Sequence, residues 1–163
     1  MSKHRIWAPW RLRYVKNASK QDECIFCAKP NLGDDRETLI VHRGDRCFVI
    51  LNLYPYTNGH LMVAPFEHIG KMQEIAPEAM AEMMALAQRA MSTLEDIYSP
   101  EGFNIGVNQG RVAGAGVEGH IHLHVVPRWA GDNNYMPVVA DTRVMPQSLE
   151  ESYDALLGGF KRE

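Results

Sequence analysis

Three of the chain's seven histidines stand at alternate positions in His120-Ile121-His122-Leu123-His124-Val125-Val126. Successive side chains of an extended backbone point to opposite faces. This spacing therefore sets His120, His122 and His124 on one face, and Ile121, Leu123 and Val125 on the other. Three imidazoles on one face suit two chemistries. Neutral imidazole is a common metal ligand. It is also a nucleophile near neutral pH, able to attack an anionic electrophile and divide one difficult displacement into two easier ones. A hydrolase using these histidines for metal alone would want carboxylates nearby in sequence, and only Glu118 is close. A half-exposed strand explains one histidine in such a pattern. It does not explain three beside a glycine-rich loop.

That loop carries Asn108 and Gln109, then Gly110, Gly114, Gly116 and Gly119. Glycines bare backbone N–H groups, which gather anions, so the loop suits a phosphate. A second cluster is Cys24-Ile25-Phe26-Cys27. The C-x-x-C spacing lets both sulfurs reach one tetrahedral zinc, with His68 and His120 as candidates for the remaining ligands. On that assignment His120 is structural, and His122 and His124 are left for chemistry. The competing readings are a thioredoxin-like redox pair, whose expected βαβ context is missing, and a buried unligated pair. Cys47 lies in an apolar run and reads as a small hydrophobe.

The positioning elements follow from pattern. Thr38 to Val41, Cys47 to Leu51 and Leu61 to Ala64 read as strands, with turns at Arg43-Gly44-Asp45 and Asn58-Gly59 between them. Residues 28–37 read as turn-rich. Pro77 to Tyr98 reads as a long helix, its apolar stripe formed by Met80, Met83, Met84, Ala87, Met91, Leu94 and Tyr98. Such a stripe is a core face before it is an adaptable binding surface. Phe103 to Val107 and His120 to Val126 read as further strands. Gln147 to Phe160 reads as a C-terminal helix with Ser148 as its cap. Short connections favour antiparallel pairing, so the class is α+β, with one long helix between the third and fourth strands.

Composition bounds the rest. The chain has 163 residues, 45% hydrophobic and 23% charged, as expected of one globular domain. Its net charge of -3 provides no overall basic field for nucleic acid. No apolar run approaches the ~20 residues that span a bilayer, and no secretory h-region is evident, so the expected compartment is the cytoplasm. Residues 1–20 form a basic aromatic arm with Trp7, Trp10 and Tyr14, and residues 21–163 form the single domain. The arm reads as packed on the body, or as a subunit or polyanion contact. Pro9 and the tryptophans fit a mitochondrial presequence poorly.

The histidine run resembles the signature of the histidine triad (HIT) family. Phe48-Val49-Ile50-Leu51-Asn52 and Asn58-Gly59-His60-Leu61-Met62-Val63 are similar to the family's nucleoside-binding hairpin. Cys24, Cys27, His68 and the triad follow the order of zinc-bearing members. Trp7-Ala8-Pro9-Trp10-Arg11 and Val125-Val126-Pro127-Arg128-Trp129 with Gly131-Asp132 resemble the branch of bacterial diadenosine tetraphosphate phosphorylases and hydrolases. The resemblance implies a HIT-like fold with a five-stranded antiparallel sheet, and a homodimer whose sheets join. It implies a zinc-stabilised adenine-nucleotide enzyme in which His122 attacks the α-phosphorus and carries the nucleotide covalently. His124 would contact phosphate or leaving group. Asn52 would bind ribose, and Phe48 and Leu51 would border the base. Asn108, its neighbour Gln109 and Gly116 would contact phosphate. Many members carry Gln-Ser or Gln-Thr before the triad, whereas this chain reads Gly114-Ala115-Gly116-Val117-Glu118-Gly119, so backbone N–H groups must replace those side chains.

The leading expectation is cleavage of dinucleoside polyphosphates, by phosphorolysis ahead of hydrolysis. The alternatives are a nucleoside phosphoramidate hydrolase, a zinc-stabilised nucleotide-binding module with little catalysis, and a metal-dependent hydrolase using the three histidines.

Overall fold

The computed structural model describes residues 23–132 and 145–162. The basic arm of residues 1–20 lies outside them. Five strands form one sheet: β1 (Ile40–Arg43), β2 (Cys47–Leu51), β3 (Leu61–Pro65), β4 (Gly102–Val107) and β5 (Leu123–Arg128). Their spatial order is β1-β2-β3-β5-β4, and every neighbouring pair is antiparallel. The helices are α1 (Ile25–Asn31), α2 (Asp35–Thr38), α3 (Pro77–Tyr98) and α4 (Leu149–Phe160), with short 3-10 turns at Met72–Glu74 and Arg111–Ala113. The fold is α+β.

Helices α3 and α4 cover one face of the sheet. Val49, Leu51, Leu61, Val63, Leu123 and Val125 meet Met83, Ala87, Leu94, Leu156 and Phe160 there in the main core. The other face carries a smaller cluster of Phe26, Ile40, Phe48, Ile50, Met62 and Ala64. Strands β2 and β3 are buried on both faces, which is why they read as continuous apolar runs.

Helix α3 has the predicted bounds. Pro77 occupies its first turn, and Ser99 ends it in the left-handed region just before Pro100. Its stripe differs in one place: Met84 is exposed. It lies about 100° round the helix from Met83, at the stripe's edge. Leu86 and Ala90 fill the centre instead. Ser148 caps α4 in a full capping box with Glu151, each side chain bonding the other's backbone N–H.

Three boundaries depart from the sequence reading. Residues 28–37 are not simply turns, because α1 covers Ile25–Asn31 and α2 covers Asp35–Thr38. Only Phe26 of α1 is buried, so that helix has no apolar periodicity to detect. Thr38 ends α2 and is not the start of a strand; Leu39 turns the chain through the left-handed region before β1. The last strand begins at Leu123 and not at His120. The Ile121 N–H is taken by the Ile69 carbonyl at 2.7 Å, which holds residues 120–122 outside the ladder. Alternation survives there, since Ile121, Leu123 and Val125 all enter the main core.

Candidate active site and metal centre

Ile121, Leu123 and Val125 anchor this segment from beneath, so the three histidines stand on the opposite face. His124 pairs with Met62 of β3 and Gly106 of β4. The His122 and His124 rings meet edge to face, with centroids 4.9 Å apart. The His122 Nδ1–H donates to the His120 carbonyl at 2.8 Å. That bond leaves the lone pair of neutral His122 on Nε2. Burial lowers the pKa of His122, although its bond to the His120 carbonyl opposes this, so the ring is neutral near pH 7.

A fourth histidine completes the row. His60 precedes β3, is fully buried, and lies 2.9 Å from His124 (Nε2 to Nδ1). The Tyr56 N–H donates to His60 Nδ1 at 3.1 Å. An accepting Nδ1 in a neutral ring requires a proton on Nε2. His60 Nε2–H therefore donates to His124 Nδ1, and His124 carries its own proton on Nε2. The Tyr56 backbone thus orders a relay that makes His124 a donor at the nitrogen opposite its partner. The Asn52 amide nitrogen sits 3.3 Å from His60 Nδ1, while its oxygen accepts the Tyr54 N–H at 2.9 Å.

Beside His124 lies a cleft of about 290 Å³. Tyr56, Asn104, Asn108 and Arg128 are among the residues lining it. Arg128 is paired with Asp132 and donates to Asn104, so its guanidinium is held in place at the rim.

The second centre lies immediately before the triad. Cys27 Sγ is 3.2 Å from His68 Nδ1 and 3.5 Å from His120 Nδ1, and Cys24 Sγ is 3.4 Å from His120 Nδ1. All four donor atoms lie within 4.8 Å of one another. Ligands of a tetrahedral zinc at 2.0–2.3 Å are themselves about 3.3–3.8 Å apart, so the set fits that ion. The His120 Nε2–H donates to the Pro65 carbonyl at 2.8 Å, which leaves Nδ1 bare toward the sulfurs. Burial and adjacent Cys24 push the Cys27 thiol up, so this sulfur gives up its proton only to a cation bound beside it. Gly119 backs onto His68, where an added Cβ would lie 3.3 Å from the ring nitrogen.

The residues expected from sequence divide clearly. Cys24, Cys27, His68 and His120 converge. His122, His124, Asn52 and Asn108 lie on or beside the histidine face. Phe48 is on that face but fully buried beneath Phe26 and Phe66. Leu51 is on the opposite face, in the core under α3, because odd-numbered β2 residues point that way. The structure does not bring it to the site. Gln109 accepts the Met72 N–H at 2.8 Å and donates to Gln73, which pins the 3-10 turn and holds its amide away from the cleft. Gly116 is exposed in its loop and does not line the cleft. Sequence reasoning missed His60, Tyr56 and Asn104. His60 was legible only as part of a hairpin, since a lone histidine before a strand has no spacing to mark it.

An antiparallel α+β sheet presenting alternating histidines from its fifth strand and the segment before it defines a histidine-triad protein. The HIT domain family model matches residues 34–131, and the chain belongs to that family. It is 36% identical to AP-4-A phosphorylase of Mycobacterium tuberculosis over 167 aligned residues, covering 98% of this chain and 85% of that one. It is 29% identical to Bis(5'-adenosyl)-triphosphatase of Dictyostelium discoideum, covering 71% of this chain and 79% of that one. Among solved structures it is similar to a Zn-bound histidine triad family protein from Mycobacterium smegmatis. There the TM-score is 0.61 at 28% identity, covering 90% of this chain and 91% of that one. Among the described residues, no helix is long and apolar enough to cross a membrane.

The relay makes a prediction about acid. Burial, then His124 and His122, lower His60 to about 3, and burial, then His122, lowers His124 to about 4. Unfolded, both titrate near the ordinary value of about 6.5. Below that pH the unfolded chain binds more protons than the folded one. Their contribution to stability is complete above about pH 6.5 and is lost as pH falls, down to about 4 for His124 and about 3 for His60. In His60→Gln, unfolding stability should fall less steeply across this window, by on the order of 1 kcal/mol per pH unit. Denaturant unfolding at stepped pH measures it. Equal slopes in the two proteins would contradict a buried neutral His60.

Proposed function

We propose that the protein cleaves dinucleoside polyphosphates of the diadenosine tetraphosphate type through a nucleotidyl-His122 intermediate. The observation carrying this reading is the His122 Nδ1–H bond to the His120 carbonyl, which leaves Nε2 as the nucleophilic nitrogen. The relatedness to AP-4-A phosphorylase over 98% of the chain supports the substrate class. In the first step His122 Nε2 bonds the α-phosphorus as the bond to the bridging oxygen breaks. The remaining nucleoside polyphosphate departs. His124, a donor at Nε2, hydrogen-bonds the oxygen on which charge develops. In the second step an acceptor oxygen attacks the phosphorus, the P–N bond breaks, and the imidazole is restored. Phosphate is favoured over water as acceptor, on the likeness to the phosphorylase. Asn52 is assigned to the nucleoside end and Asn108 to phosphate, while Phe48, fully buried, only backs the face.

The Cys24, Cys27, His68 and His120 set is read as a structural zinc site, in line with the Zn-bound relative. Bound there, the ion supplies folding free energy and fixes His120. A homodimer is read through β4, an edge strand of the sheet with exposed residues, Ile105 among them. A second β4 beside it would satisfy the open edge. Cytoplasmic action accords with the paired free cysteines.

Incubation with diadenosine tetraphosphate, with and without inorganic phosphate, tests the reaction. ADP and ATP formed only with phosphate are expected. AMP and ATP irrespective of phosphate would make water the acceptor. His122→Asn should fold normally and lose turnover by at least about a thousandfold, the scale of an essential nucleophile. One tenth of wild-type turnover in that variant would remove His122 from the role. Metal analysis of protein purified without added zinc or chelator should find one zinc per chain, and its absence would return Cys24 and Cys27, both half-buried, to the reading of an unligated pair.

A further inference from the structure

We propose that Phe26 is a positioning residue for His122, and that the cysteine knuckle carrying Phe26 couples the metal centre to the nucleophile. This inference rests on the reading of His122 as nucleophile. Phe26 lies between the two cysteines and is 1% exposed. Its ring stacks on the His122 imidazole, with centroids 4.7 Å apart and planes at 29°. It also reaches the His120 ring at 5.3 Å and Phe48 at 6.5 Å.

Two constraints are needed to place an imidazole. The bond from Nδ1–H to the His120 carbonyl sets the nitrogen's direction, but it selects the tautomer only while the ring stays in line with that carbonyl, and by itself it leaves the ring free to tilt. A flat aromatic wall removes the tilt. A misplacement of even ~1 Å at a reacting atom can lower the rate by orders of magnitude. Phe26 supplies the wall, and its backbone is held from both sides. Cys24 is the N-cap of α1, and its carbonyl accepts the N–H groups of Cys27 and Ala28 at 3.0 and 2.9 Å. Both sulfurs therefore sit on the first helical turn, with Phe26 between them in sequence. The other route is His120 itself, whose ring joins the sulfurs while its carbonyl holds His122. Ring and carbonyl thus converge on one imidazole from one cluster of ligands. With a metal at that cluster, α1 and the segment 120–122 are tied together. Without it, only packing joins them.

The test uses Phe26→Leu, which keeps apolar volume and removes the flat ring. Steady-state kinetics on diadenosine tetraphosphate should show kcat lowered about tenfold with KM within about twofold, as for loss of orientation at the reacting atom. Nitrogen-15 NMR of the histidine side chains should show His122 as a single Nδ1–H tautomer in the wild type and as a mixture in the variant. Zinc content should be unchanged. A rise in KM alone would make the ring a nucleotide contact only. Lowered thermal stability with unchanged kcat and tautomer would make it packing only. Either result overturns the proposal. If Phe26→Leu fails to fold or to hold zinc, Phe26→Met is the variant to use. The coupling has its own arm. His68→Asn alters an exposed ligand that does not touch His122, and after chelation it should show the same tautomer mixture with Phe26 intact. A single Nδ1–H tautomer in that metal-free, folded protein would overturn the coupling. The tautomer is read without turnover, so failure here leaves the nucleophile reading standing. Turnover surviving in His122→Asn would remove both.

Discussion

One hydrogen bond of 2.8 Å, from His122 Nδ1–H to the His120 carbonyl, decides which nitrogen of the central histidine keeps its lone pair. Much of the surrounding structure bears on that bond. The carbonyl is placed because the His120 ring is held, between the Pro65 carbonyl on one side and two cysteine sulfurs on the other. The next residue, Ile121, is held by its N–H on Ile69 and by its side chain in the main core. An imidazole so placed is neutral because it is buried, and the same burial lowers its neighbours. Polarity within the row is then set by backbone groups. The His120 carbonyl orders His122, and the Tyr56 N–H orders His60 and through it His124.

The sheet makes this economical. Each residue that enters the core beneath α3 places its neighbour on the site face, so Ile121, Leu123 and Val125 position the triad without contacting a ligand. The cost is that chain direction and metal centre are linked. His120 belongs to both: its ring faces the two sulfurs and its carbonyl holds His122. Glycine at 119 belongs to the same link, since a side chain there would press on His68.

The fold and the triad were legible because period-2 alternation and a 22-residue amphipathic helix are local patterns. The Cys/His cluster that could hold a metal was legible through C-x-x-C spacing, although His68 and His120 lie 41 and 93 residues from Cys27. Other features were hidden for physical reasons. Helix α1 is seven residues long with one buried side chain, so it has no periodic signature. His60 acts through a contact 64 residues distant that only β3–β5 pairing creates. The family resemblance implies that Leu51 borders the base, but the strand's alternation sends it to the core. Gln109 was assigned from its place beside Asn108, but a backbone N–H at Met72 takes its side chain.

In the proposed reaction His122 carries the nucleotide. Single-turnover reaction with diadenosine tetraphosphate, quenched in base to spare the P–N bond and followed by peptide mass mapping, tests it directly. Adenylate on the peptide containing His122, formed and consumed at rates consistent with turnover, is the expected result. Product released in a single burst with no adenylated peptide at any time would show direct displacement by the acceptor and contradict the account.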